Sequence, residues 1–199
     1  MPFPTPSNHV CNTQPCALHL PPIYSFPPFF TLQPHLPSRD RQMAAWTDLI
    51  RAYCAHHKLY RLDLNVSLSL DLFANAGINR SVSREMAAAI FRECVKSGLA
   101  EWSATGSKGG ASDKSAVLVL WKSVAEWGNV LCEWAKRNGF TGSVVTGYEM
   151  RFGEYVTDEE FAEMDEQLFI RVVKDLTKQG KVSMINMAEK ADELGFKFL

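Results

Sequence analysis

All ten prolines of this 199-residue chain lie at or before Pro37, and the first Asp, Glu, Lys or Arg is Arg39. Proline holds φ at about −65° and removes a backbone donor, so residues before Pro37 cannot build a sheet interior or a long helix. Those after it are free to do both. Within the leader, Pro21-Pro22-Ile23-Tyr24-Ser25-Phe26-Pro27-Pro28-Phe29-Phe30-Thr31-Leu32-Gln33-Pro34 sets four aromatic rings among five prolines. Such a segment is expected to be extended and PPII-like. An extended chain cannot cover Tyr24, Phe26, Phe29 and Phe30 against itself. Two covers stand open at this point: another polypeptide, which makes residues 21–37 a docking arm, or the chain's own next domain, which makes them a strap. Residues 1–20, polar and patternless, are expected to form a disordered tail.

After Pro37 the chain becomes periodic. Ser38 is a candidate N-cap for a helix to about His57, with Met43, Trp46, Leu49, Ile50 and Tyr53 on its apolar face. A short strand is expected at Tyr60 to Leu64 and a brief helix at Leu70 to Ile78. Ser81 and Ser83 offer caps to a helix over Arg84 to Ser97, stopped by Gly98. Leu99 to Trp102 and Ala116 to Trp121 read as strands around a Gly/Ser/Lys-rich loop from Ala104 to Ser115. Ser123-Val124-Ala125-Glu126 is a capping box. The helix it opens carries Trp127, Val130, Leu131 and Trp134. Ser143 to Thr146 reads as a strand, and Thr157 to Glu160 as a second capping box. Asp165 caps a helix stopped by Gly180. Lys181 to Asn186 and Gly195 to Leu199 close the chain as strands.

The two halves are in register. A shift of 81 positions carries Trp46, Leu49, Ile50 and Tyr53 onto Trp127, Val130, Leu131 and Trp134; a shift of 82 carries Met86, Ile90, Phe91 and Gly98 onto Leu168, Val172, Val173 and Gly180. Each half therefore reads helix, strand, helix, helix, strand, strand in about 80 residues, within ordinary domain sizes. The expected fold is α+β and mainly helical: two tandem winged-helix domains, 38–122 and 123–199, behind the proline-rich arm.

The net charge of −1 argues against a general binder of nucleic acid. DNA-binding winged helices place the third helix in the major groove. Here those helices carry Arg84, Glu85, Arg92, Glu93 and Lys96 in one half, and Asp165, Glu166, Arg171, Lys174, Asp175 and Lys178 in the other. Acids nearly match bases, which removes the attraction that phosphate binding depends on. Five widely spaced cysteines fit reduced thiols better than a disulfide framework. No apolar run is long enough to span a bilayer, and the leader lacks the basic n-region of a signal peptide. Adjacent His56 and His57 point about 100° apart on a helix, so they do not share a metal at the required spacing. Gly106-Ser107-Lys108-Gly109-Gly110 lacks the features of a phosphate loop, and Asp158, Glu159 and Glu160 suit a helix start. No catalytic constellation and no cofactor site emerges, and the chain reads as a non-enzyme.

With two such modules behind a Pro-Pro-aromatic arm, the chain resembles the small-subunit family of the ESCRT-II endosomal sorting complex, the vacuolar protein sorting-associated protein 25 family. The residues that carry the likeness are the arm itself, Arg80-Ser81-Val82-Ser83, Leu120-Trp121-Lys122 with Glu126-Trp127, and Val145-Thr146-Gly147-Tyr148-Glu149. The resemblance implies a structural adaptor without cofactor or nucleic-acid partner, cytoplasmic and recruited to the endosomal membrane only through its complex. It implies that the N-terminal half docks on two larger ESCRT-II subunits through Pro21, Pro22 and Tyr24 and through Pro27, Pro28 and Phe30, with Phe26 and Phe29 beside them. Phe30 stands where the family motif has Tyr. It further implies that the C-terminal half recruits the N-terminal helix of an ESCRT-III subunit during sorting of ubiquitinated cargo to multivesicular bodies; Val144, Val145 and Thr146 are the candidate contact. On this reading the rings of the arm are covered by a partner, and truncating Tyr24 and Phe30 leaves thermal stability nearly unchanged. The alternative from another class is a winged-helix nucleic-acid-binding or transcription-related protein.

Overall fold

The computed structural model describes residues 20–103, 115–185 and 191–199. The expected tail, most of the loop after Ala104 and the end of the Lys181 strand lie outside them. Helix α1 (Leu36–His56) leads into strand β1 (Arg61–Asp63), helix α2 (Leu64–Ser67), the ribbon β2 (Ala74–Asn75) and β3 (Arg80–Ser81), helix α3 (Arg84–Lys96), and strands β4 (Ala100–Trp102) and β5 (Ala116–Val119). The second half repeats the order without the ribbon: α4 (Val124–Arg137), β6 (Val144–Thr146), α5 (Gly147–Phe152), α6 (Glu166–Lys178), β7 (Val182–Met184) and β8 (Gly195–Phe198). The sheets match as well: β1-β5-β4 and β6-β8-β7, antiparallel throughout, each with the last strand in the middle. This order is consistent with winged helices.

The repeat extends to the turns. After α1 and α4, Leu59 and Phe140 each donate a backbone N–H to Cys54 and Ala135, 2.8 Å in both. The residues just before them, Lys58 and Gly139, both have positive φ. Gly98 and Gly180 likewise sit at +78° and +71° after α3 and α6, the left-handed geometry that a helix stop demands of a residue without Cβ. The Trp pair of the repeat, Trp46 and Trp127, is fully buried, and each heads its own core. Ile50, Phe73, Ile90, Phe91, Val117 and Val119 surround the first. Leu131, Trp134, Leu168, Val172 and Phe196 build the second.

Four local expectations are corrected. Helix α1 begins at Leu36, with His35 at its cap position, because Pro37 is tolerated in a first turn; the Ser38 hydroxyl meets the His35 ring at 3.0 Å instead of capping. The short helix of the first half is Leu64–Ser67, not Leu70 to Ile78. Asp63 nucleates it by accepting from the backbone N–H groups of Asn65 and Val66. Leu70 to Ile78 instead forms turns around β2. The second capping box is Thr146 with Glu149, which opens α5; Thr157 to Glu160 forms turns, with Thr157 at the end of a 3₁₀ turn. The fourth correction concerns the arm.

Candidate docking surfaces

The arm is not extended. It folds as two 3₁₀ turns, Pro22–Ser25 and Pro27–Phe30, each opened by a proline. The φ that proline imposes suits a 3₁₀ turn as well as PPII. The remaining donors close the turns: Tyr24 to Pro21 O, Phe26 to Ile23 O, Phe29 to Phe26 O and Thr31 to Pro28 O, all at 2.9–3.2 Å.

The turns direct Tyr24, Phe29 and Phe30 inward, where they are 6%, 2% and 3% exposed and belong to the first core. Phe29 stacks on Trp46, and Phe30 meets the same indole edge-on. Tyr24 packs against Phe30 and donates its hydroxyl to Asp71 O at 2.5 Å. Burial, then the nearby Asp71 charge, raises the Tyr24 hydroxyl pKa above its ordinary value. Gln42, a buried polar side chain of α1, fastens the arm. Its amide donates to Phe29 O and Thr31 O, both at 2.9 Å, and its carbonyl accepts from Gln33 N. The Trp46 indole N–H donates to Phe29 O at 3.1 Å. These contacts satisfy arm carbonyls that burial would otherwise leave unpaired. The expectation that all four rings wait for a partner is therefore overturned: three of them strap the chain's own core.

The opposite side of the same turns is open. Phe26 is 55% exposed; Ile23, Pro22, Pro27 and Pro28 are exposed and Pro21 is partly so. With Leu20, Leu32 and Leu36 they form an apolar strip, bordered by Arg80, which lines a shallow hollow with Pro27 and Pro28. The buried rings hold that strip rigid, which lowers the entropy lost when it is covered.

The second half carries another apolar surface. Val144 is 58% exposed on β6, an edge strand, whereas Val145 points into the core and the Thr146 hydroxyl caps α5. Beside Val144, a hollow of about 300 Å³ opens between Trp134, Phe140, Glu149, Gly153, Glu154 and Tyr155. Tyr148 and Phe152 are exposed one turn apart on α5, with ring centroids 5.5 Å apart. From the sequence, Tyr148 stands out only within the stretch that carries the family likeness, and Phe152 and Tyr155 not at all. The signal was there, an i,i+4 aromatic pair that starts inside a Thr-x-x-Glu cap.

Among the described residues no group of His, Cys, Asp and Glu is placed to hold a metal ion. His56 and His57 meet edge to face at the end of α1, with His57 leaning on Tyr53. Burial pushes the Cys54 thiol up to about 12 and Cys94 up to about 11, so both are inert. Cys54, Cys94 and Cys132 are free. Arg171 of α6 is engaged with Glu101 of the first half, which occupies it against phosphate contacts, and Asp165 at the helix cap pairs with Arg61.

A profile of the ESCRT-II complex subunit family matches residues 23–165. Vacuolar protein-sorting-associated protein 25 of Danio rerio is 37% identical over 175 residues, covering 88% of this chain and 95% of that protein. The Homo sapiens protein is 34% identical with 88% and 94% covered, and the Arabidopsis thaliana protein 31% with 90% and 94%. Among solved structures, subunit VPS25 of the endosomal trafficking complex ESCRT-II superposes with a TM-score of 0.72 at 30% identity, covering 90% of this chain and 98% of the other. A chain of the endosomal complex ESCRT-II (VPS22/VPS25/VPS36) superposes with a TM-score of 0.71 at 29% identity, covering 87% and 96%.

Proposed function

This chain belongs to the ESCRT-II complex subunit family, and from that premise we propose that it is the small adaptor subunit of an ESCRT-II complex. The family is one of structural complex components and not of enzymes. The chain docks on two larger subunits through its N-terminal half and recruits the N-terminal helix of an ESCRT-III subunit through its C-terminal half, in sorting ubiquitinated cargo to multivesicular bodies. It reaches the endosomal membrane from the cytoplasm through the complex; among the described residues no helix is long and apolar enough to cross a bilayer.

The observation that carries this reading is the exposed strip on the folded arm. Pro21, Pro22, Phe26, Pro27 and Pro28, with Ile23, present the contact; Tyr24, Phe29 and Phe30 shape it from beneath. The working units are the arm with residues 38–122, and residues 123–199. The hollow beside Val144 is the seat for the ESCRT-III helix: an edge strand, exposed aromatics and two glutamates suit an amphipathic helix with basic flanks.

Co-expression with the two larger subunits, followed by size exclusion, tests the assembly. Co-elution of all three chains is the expected result, and elution of this chain alone would overturn the proposal. A nucleic-acid role is tested by gel shift at low salt, where nonspecific binding is strongest; no retardation is expected.

A further inference from the structure

Arg61, Leu118 and Glu101 are direct cross-strand partners and form one row across the first sheet. Leu118 is 3% exposed, yet it packs in the core of the second half rather than the first. On one side of it Arg61 Nη2 meets Asp165 Oδ2 at 2.9 Å. On the other, both Glu101 oxygens receive bonds from the Arg171 guanidinium. Asp165 caps α6 and Arg171 lies one and a half turns along it, so the row spans that helix. The signs are crossed: the sheet offers plus then minus, and the helix minus then plus. Turning the helix end for end would set Arg61 against Arg171 and Glu101 against Asp165.

A second group of contacts closes the same joint. Lys58 Nζ donates to Glu159 O at 2.8 Å, the Tyr60 hydroxyl donates to Glu160 O at 3.1 Å, and Lys122 pairs with the Glu160 carboxylate. Tyr60 and Trp121 pack on each other and on Trp127.

We infer that this crossed-charge row locks the two halves in one orientation, so that the chain acts as a rigid spacer between its two docking surfaces. Leu118, Tyr60 and Trp121 supply the apolar attraction. Partly exposed ion pairs add little affinity, and their effect is to exclude the wrong register, since like charges brought together oppose it. The joint also occupies Asp165 and Arg171 at the start of α6, the counterpart of a recognition helix, which favours the α5 and β6 side for partners of the second half.

The test is the inter-half distance distribution of the full chain, measured by pulsed electron spin resonance. Spin labels are carried on unnatural residues at the exposed helix positions 48 and 133, which leaves the native cysteines untouched. A single narrow peak is expected. Arg171→Glu is expected to widen it at least twofold, and adding Glu101→Arg to that variant restores the narrow peak. Glu101→Lys, on the edge strand β4, breaks the same pair without altering α6 and is expected to broaden the peak likewise. Helix content by circular dichroism confirms that each variant is folded. A narrow peak in both single variants, or a double variant no narrower than Arg171→Glu, overturns the inference.

Discussion

Phe29 lies flat on Trp46, with ring centroids 4.5 Å apart and planes 2° from parallel, while the indole N–H of Trp46 donates to the carbonyl of Phe29. One residue of the arm is thus held twice by one residue of α1, through its ring and through its backbone. The second half has a counterpart: Trp127 is covered edge-on by Trp121, from the segment just before its own helix. In both halves the first-helix tryptophan is roofed by the chain that precedes it.

Truncating the roof should therefore unfold the first half. Phe29→Ala is expected to cost about 3–5 kcal/mol, the range for a fully buried Phe in a rigid core. The double variant Tyr24→Ala with Phe30→Ala should also lower the melting temperature by many degrees, contrary to what the sequence suggests for a free arm. Thermal denaturation of the isolated chain measures both. A change within about 0.5 kcal/mol, the value for surface positions, would mean the strap carries no stability.

Gln42→Leu separates the polar fastening from the rings. It keeps apolar bulk on α1 but removes one of two donors from the carbonyls of Phe29 and Thr31, which keep the Trp46 indole and the Gln33 side-chain amide, and takes the acceptor from the Gln33 N–H. The expected loss is about 1 kcal/mol, near the low end for a polar group left unpaired. Amide exchange read by NMR should speed up first at Phe29 to Gln33, whose register Gln42 holds.

Gly147 is a position where no side chain fits. A Cβ there would lie 1.9 Å from Ala191 O, and Gly147 N donates to Leu194 O. Gly147→Ala must push α5 off the turn at residues 191–193, at a cost of about 1–3 kcal/mol. Chemical unfolding should show a lower midpoint with an unchanged slope. An unaltered midpoint would mean the two segments do not press together.

The glutamates of the two capping boxes predict a pH dependence. Glu126 and Glu149 accept from the backbone N–H groups of Ser123 and Thr146, then from their hydroxyls, and these bonds hold both carboxyls below the usual carboxylate value. Because the folded values are depressed, the stabilisation is complete above the unfolded Glu value of about 4.3 and is lost as pH falls through the folded values. Glu126→Gln with Glu149→Gln should flatten the acid limb of a melting-temperature titration. An identical acid limb would count against the boxes.

How much of this was legible follows from where the information sits. Helices α1, α3, α4 and α6 announce themselves because their apolar faces repeat every three or four residues and their stops are glycines or end in positive φ. The capping box at Ser123 was legible because its serine leads straight into such a face. The box at Thr146 was obscured because Thr146 also ends a strand, and the helix it opens spans only Gly147–Phe152, too short for periodicity. The folded arm was illegible for a physical reason: proline fixes φ alike in an extended segment and a 3₁₀ turn, and ψ is decided by whether Trp46 and Phe73 are there to receive the rings. The charged row at the joint joins residues 70 to 104 positions apart, Arg171 with Glu101 and Asp165 with Arg61, and no local pattern encodes it.

The proposed ESCRT-III seat makes a separable prediction. Val144→Asp with Tyr155→Ala alters exposed side chains beside the hollow and should leave the melting temperature within a degree or two, while pull-down of the ESCRT-III N-terminal helix drops at least tenfold. Undiminished pull-down would remove the hollow as the seat.

The most direct test of the account is the affinity of the larger subunits for a chain carrying Ile23→Asp and Phe26→Asp, measured by titration calorimetry alongside its melting temperature. The account predicts at least a hundredfold loss of affinity with the melting temperature unchanged, because both side chains lie on the open side of the arm. Full affinity in that variant would contradict it.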